Sequence, residues 1–289
     1  MTLDGGAVFW VLDLGWQPMR IAIFQGPAKS GPPDANLELL ARIAHQAAEA
    51  GAQLLICAEM FLSGYNIGAE AARRLAEPCD GPSFQRASAI AQNTGIGLIY
   101  GYPELGEDGV VYNAAVFLAA DGARLANYRK CHLFGALDRA MFAAGDQPVV
   151  IAEFGGITIG LLICYDVEFP EAVRLLAQAG ADFLVVPTAQ MAEFTYVAER
   201  MIGVRAFENQ MFVAYANRCG AEGDLVYCGS SVVAGPDGHD LARAGADEEL
   251  IIAEIDPARL AVSRRANPYL LDRRPELYGP IGVSRSVND

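Results

Sequence analysis

Residues 160–170 read GLLICYDVEFP, and the order of residue types in this stretch sets the organisation of the chain. An apolar run ends at Cys164, and Pro170 opens a helical pattern six residues later, so a buried strand turns sharply into a helix at the cysteine. Open α/β sheets place ligands at the carboxyl ends of their strands, and the amides of a following helix favour a thiolate. Cys164 is therefore a candidate nucleophile. The plain alternative is a core cysteine, because free cysteine is among the most buried residue types.

Working outward, the same rhythm recurs. Residues 20–25 read as a strand, and 35–50 as a helix with apolar positions Leu37, Leu40, Ile43 and Ala47, an N-cap at Asp34 and a stop at Gly51. A strand over 54–57 ends at Ala58 and Glu59, a helical region over 69–93 is broken at 78–82, and a strand follows over 97–102. Asp121-Gly122, Gly155-Gly156 and Asp237-Gly238 are turn dipeptides between strand-like runs and predict three hairpins. Downstream of the elbow come a helix over 170–179, a strand over 183–186, a helix over 197–210, a strand over 212–217 and one short helix after Pro257. The pattern predicts a layered α/β fold with inserted antiparallel hairpins, and no G-x-G-x-x-G or Walker motif is present.

The 289 residues are 53% hydrophobic and 19% charged, which excludes disordered, collagen-like and coiled-coil classes. A formal charge of −14 argues against nucleic acid and anionic membrane surfaces as partners. The six cysteines form no C-x-x-C pair, so no zinc ribbon or disulfide framework is expected and a reducing cytoplasm fits. No apolar run reaches the roughly 18 residues of a membrane helix. The apolar residues 7–16 are broken by Asp13 and preceded by no basic residue, unlike a signal peptide. Residues 1–18, which hold both tryptophans, read as an extension outside the core; 19–266 read as the domain, and 267–289 as a polar, proline-bearing tail.

A cysteine nucleophile needs a base, yet His45 and His239 lack a catalytic setting, and His132, the best placed of the three, reads more readily as a surface or supporting histidine. Glu59 is the better candidate: it directly follows the apolar run LLICA, where a carboxylate is costly unless paired, and burial would raise its pKa towards that of a useful base. Lys130 is one of only two lysines, the other being Lys29, in a chain whose default cation is arginine. A compact ammonium suits oxyanion stabilisation. Glu59, Lys130 and Cys164 each follow a strand-like run, so one rim can collect them.

Three ordered blocks, CAEMFLSGY (57–65), YRKCHLF (128–134) and ICYDVEFPE (163–171), resemble the motifs of the carbon-nitrogen hydrolase (nitrilase) superfamily, a likeness that spans residues 19–281. The resemblance implies that Glu59 is the general base, Lys130 stabilises the tetrahedral intermediate, Cys164 is the nucleophile and the Tyr165 amide completes the oxyanion hole. It also implies a four-layer α-β-β-α sandwich that pairs across a dimer interface, with the tail packed on the partner, and no metal or organic cofactor. Where the family often has a second glutamate, before an F-x-x-G-D segment seen here as FAAGD, this chain has Asp138. That shorter carboxylate either serves as the second site acid or is a solvated loop residue. Tyr165-Asp166 after the nucleophile, in place of the tryptophan of true nitrilases, favours amides. Loops 188–194 and 217–227 carry no decisive charge pattern, so an aliphatic or amino-acid amide is the first expectation, N-carbamoyl compounds the second and nitriles the third. Tyr65, Thr188 and Gln190 are candidate substrate contacts. A catalytically silent scaffold is the non-enzyme alternative, disfavoured by the intact Glu59, Lys130 and Cys164.

Overall fold

In strand β1 (Met19–Gln25), Met19, Ile21 and Ile23 join one apolar cluster while Ala22 and Phe24 join another, as the two-residue period of a strand buried on both faces requires. The computed structural model describes residues 17–27 and 29–278. Its strands continue as β2 (Leu54–Ile56), β3 (Gly97–Leu105), β4 (Val111–Leu118), β5 (Arg124–Arg129), β6 (Ile151–Phe154) and β7 (Ile157–Leu161). Then follow β8 (Phe183–Pro187), β9 (Phe212–Ala216), β10 (Cys219–Glu222), β11 (Leu225–Cys228), β12 (Val232–Ala234), β13 (Asp240–Arg243) and β14 (Glu249–Ile255).

They form two six-stranded mixed sheets, ordered β14-β1-β2-β3-β4-β5 and β13-β12-β9-β8-β7-β6, and a ribbon, β10-β11. Each sheet has a parallel centre, β1-β2-β3 in one and β7-β8-β9 in the other, edged by antiparallel strands. The sheets pack face to face through Ile21, Ile56, Ile99 and Phe117 on one side and Leu161, Phe183 and Val185 on the other. Helices Asp34–Glu49 and Pro82–Thr94 cover the outer face of the first sheet with Leu37, Leu40, Ile43, Ala87 and Ala91. Helices Pro170–Gln178 and Ile202–Asn209 cover the second with Val173, Leu176, Ile202 and Ala206. The layer order is therefore α-β-β-α.

All three expected hairpins form, at 121–122, 155–156 and 237–238. Asp34 is not an N-cap. Pro33 already has helical angles (φ −71°, ψ −12°), so the helix starts at Asp34, whose carboxylate faces the positive helix end and pairs with Arg86. The strand β14 was not foreseen; it pairs antiparallel along the full length of β1. The loop read over 217–227 contains the β10-β11 ribbon, and the helix over 197–210 begins as a π turn, Val197–Met201. The tail forms two single-turn helices, Tyr269–Asp272 and Pro275–Tyr278. The extension read over 1–18, with both tryptophans, lies outside the described residues except for 17 and 18, as does the tail beyond 278. Among the described residues no helix is long and apolar enough to cross a membrane.

One glycine couples this frame to the loop that follows β2. Gly101 of β3 donates its amide to Ala58 O at 3.2 Å and accepts from the Leu62 amide at 3.1 Å, and a Cβ there would overlap the Met60 nitrogen and crowd Ala58 O. The contact is backbone against backbone, so no side chain can swing away. Gly101→Ala is expected to cost about 1–3 kcal/mol by overpacking. Calorimetry should record a thermal midpoint several degrees lower; an unchanged midpoint would show that the loop yields freely.

Candidate active site

Three chain segments reach the site from the carboxyl ends of strands. Glu59 lies three residues beyond β2, Lys130 directly follows β5, and Cys164 lies three residues beyond β7, where it opens a 3-10 turn, Cys164–Glu168. Cys164 has φ +47° and Met60 φ +50°, a left-handed conformation that is costly for a residue with a side chain and that clusters at functional sites. Asp166 fixes this elbow: fully buried, it accepts from the Ile163 amide (3.1 Å), the Tyr128 hydroxyl (2.9 Å) and the His132 amide (2.8 Å). His132 Nδ1 lies 2.7 Å from the same carboxylate and its ring stacks on Phe169, so this histidine supports the elbow and does not face the thiol as a base.

Lys130 is completely buried between two completely buried carboxylates. Its Nζ donates to Glu59 Oε1 and Asp138 Oδ2, both at 2.7 Å. Asp138 is not a solvated loop residue: helix Gly135–Met141 carries it inward, where it also accepts from the Tyr65 hydroxyl (2.8 Å) and the Phe134 amide (2.9 Å). Glu59 Oε1 accepts a second bond, from Asn113 Nδ2 at 2.7 Å, whereas Oε2 has no partner among the described residues. One oxygen of the Glu59 carboxyl is thus held by two donors and the other has none among the described residues.

The electrostatics agree with that division. Burial pushes the Glu59 carboxyl above the ordinary carboxylate range; the Lys130 charge opposes the shift and Asp138 adds to it. Burial disfavours the Lys130 ammonium, but Glu59, Cys164 and Asp138 together outweigh it and raise the lysine pKa. The Cys164 thiol is pushed well up by burial and by Glu59, against the pull of Lys130, the Thr188 hydroxyl and the Ala189 amide. At rest the site therefore holds a neutral thiol beside an ammonium clamped by carboxylates.

Beyond the thiol, β8 is followed by Thr188, Ala189 and Gln190. Gln190 Oε1 lies 3.9 Å from Cys164 Sγ and accepts from the Tyr215 hydroxyl at 2.8 Å, which in turn receives the Thr188 hydroxyl at 3.1 Å. Tyr165 is the second residue of the 3-10 turn, where amides lack a partner within the turn, and its ring meets Phe134 edge to face at 5.3 Å. Phe134 meets Phe194 in the same way at 5.7 Å, which gives the rim an aromatic lining. Of the three residues expected to touch substrate, Gln190 is beside the thiol, Thr188 supports it, and Tyr65 is buried beneath Asp138.

Asn113 was missed, although an amide inside the apolar strand VYNAAVFL must find a partner and so carried a signal. Arg218 was also missed. It is 1% exposed and donates to Glu59 O at 3.1 Å and to Met60 O, on the backbone that carries the Glu59 side chain.

The chain can now be set beside known proteins. It is 52% identical to the hydrolase in the pqqF 5' region of Pseudomonas protegens, over 91% of this chain and 92% of that protein. It is 36% identical to an (R)-stereoselective amidase of a Pseudomonas species, over 90% and 93%. The amidase from Nesterenkonia sp. AN1, solved as a double mutant in complex with acrylamide, superposes with a TM-score of 0.78 at 37% identity, over 90% of this chain and 95% of that one. Another structure of that amidase carries the acetamide moiety of fluoroacetamide on its active-site cysteine. The carbon-nitrogen hydrolase family profile matches residues 20–265, and the chain belongs to that family, the nitrilase superfamily.

Proposed function

We propose that this protein hydrolyses the C–N bond of a small aliphatic or amino-acid amide, giving carboxylate and ammonia through a thioester on Cys164. The observation that carries the reading is the buried Glu59–Lys130–Asp138 cluster beside a neutral thiol. The free Oε2 of Glu59 takes the Cys164 proton as sulfur attacks the amide carbon, and the carbonyl oxygen gains negative charge between Lys130 Nζ and the Tyr165 amide. Collapse expels ammonia with the proton returned from Glu59. The same carboxylate then draws a proton from water, which attacks the thioester and releases the acid and the thiol. Asp138 keeps the ammonium aimed and charged throughout. The Nesterenkonia and Pseudomonas amidases support the choice of amide.

Intact-mass trapping with a panel of amides, N-carbamoyl compounds and nitriles tests this reading: an acyl adduct on Cys164 and ammonia release should come from small amides. Cys164→Ala should lose more than about a hundredfold of turnover, since a nucleophile contributes several kcal/mol, with an unchanged thermal midpoint. Retained turnover would exclude the covalent route, and inertness to the whole panel with no adduct would leave a silent scaffold.

Lys130→Arg should fail as fully as Lys130→Ala. A guanidinium is planar and broader, and a completely buried site that places one nitrogen 2.7 Å from two carboxylates has no room for it. Near-normal turnover in the arginine variant would reduce Lys130 to a generic cation.

We also propose that the chain works as a dimer whose interface includes the tail. Leu271 (86% exposed) and Leu277 (62%) lie on the tail's short helices, and Leu175 (42%) and Val204 (52%) lie on the helices covering the second sheet. Phe207 packs against Tyr269, which links these surfaces into one apolar face. Light scattering should give twice the chain mass, and truncation after Ala266 should lower both assembly and turnover. A monomeric full-length protein would overturn the proposal.

A further inference from the structure

The segment 59–66 contains the proposed base, Glu59, and ends at Tyr65, whose hydroxyl bonds Asp138, and at Asn66. Both of its ends are gripped by the β10-β11 ribbon. At the first end Arg218, immediately before β10, donates Nε to Glu59 O (3.1 Å) and Nη2 to Met60 O, across the residue with φ +50°. At the other end Glu222, the last residue of β10, accepts from the Tyr65 amide (3.0 Å) and the Asn66 amide (3.1 Å), and also from the Ser30 and Tyr227 hydroxyls. Between the two grips Gly64 (φ +90°) passes so close to Glu222 that a Cβ would overlap its carboxylate. The Arg218 guanidinium lies over the Tyr227 ring at 5.8 Å, which joins the two grips on the ribbon side. Burial alone would raise the Glu222 carboxyl, yet the Arg218 charge and the Ser30, Tyr227 and Asn66 donors bring it below the ordinary range, so it stays an acceptor.

We infer that Arg218 and Glu222 are positioning residues that hold the base segment against the Lys130 cluster. The inference rests on the reading of Glu59 as the base. The grips close a loop of contacts: Arg218 fixes the Glu59 backbone, Glu222 fixes Tyr65, Tyr65 bonds Asp138, and Asp138 and Glu59 share Lys130. Slack at either grip moves Glu59 relative to the thiol, and a misplacement of about 1 Å can cost roughly a hundredfold in rate.

The test uses the full chain and follows carbamidomethylation of Cys164 by iodoacetamide, by peptide mass, as a function of pH. Wild type, Glu59→Gln, Arg218→Met and Glu222→Gln are compared for rate per reactive site and for the number of reactive sites. Glu59→Gln should slow the reaction severely; if it does not, the base reading fails, whatever the other variants do. With that control in place, Arg218→Met and Glu222→Gln should each keep a full complement of reactive sites yet react about tenfold or more slowly. Their acid limb should move to lower pH, as a loosened Glu59 regains water and loses its raised pKa. Wild-type rates and an unmoved acid limb in both variants would overturn the inference. So would fewer reactive sites that each react at the wild-type rate, since that result marks a merely structural role. The near-isosteric Glu222→Gln decides the matter if Arg218→Met does not fold.

Discussion

The rest of the site depends on one constraint: an ammonium with no access to water must be surrounded by acceptors. Lys130 is fully buried, and leaving it unpaired by removing one partner of a buried ion pair costs about 3–5 kcal/mol. Glu59 and Asp138 meet that demand from different elements, the loop after β2 and the helix Gly135–Met141. The pairing thereby fixes the relative position of segments far apart in sequence. At the position where the resemblance would put a glutamate, the helix brings the shorter Asp138 carboxylate to 2.7 Å from the ammonium.

The elbow answers to a second demand. A cysteine at φ +47° is held against its own preference, and the holding is done by Asp166, which joins the strand exit to the segment that carries Lys130 through Tyr128 and His132. The Cys164 thiol and the Lys130 ammonium are thus registered to one another by a buried carboxylate. The two positive-φ residues at the site, Met60 and Cys164, follow strands of different sheets, and each has its own set of polar restraints.

The sequence made the parallel strand centres, the three hairpins and the residues at the strand ends readable, because each has a local signature: apolar runs, turn dipeptides and a charged residue stranded after an apolar run. Less readable was whatever depends on distant partners. The strand β14 is legible only beside β1, since its own pattern, ELIIAEI, carries Glu249 and Glu254 and has no turn signal that binds it to residues 19–25. Asp34 was misplaced because Pro33 can adopt helical angles and so shifts the start of the helix by one residue. At the site Glu59, Lys130 and Cys164 stood out by position. Arg218 resembled any arginine in a chain rich in them, and only its burial against two carbonyl groups distinguishes it.

The free oxygen of Glu59 has a consequence for the energetics of the proposed cycle. In that cycle, with both carboxyl groups ionised and the thiol neutral, Glu59, Asp138 and Lys130 carry a net single negative charge. Passing the proton from sulfur to Glu59 relocates that charge without creating another. Attack on a neutral amide then moves it to the carbonyl oxygen, and its total is again conserved. The enclosed volume therefore never holds a second uncompensated anion, and the surrounding dipoles have little to reorganise between the resting thiol and the tetrahedral adduct. A neutral acyl donor is the electrostatic match for such a site, because an anionic group brought against the cluster would raise its charge to minus two in a medium that screens poorly.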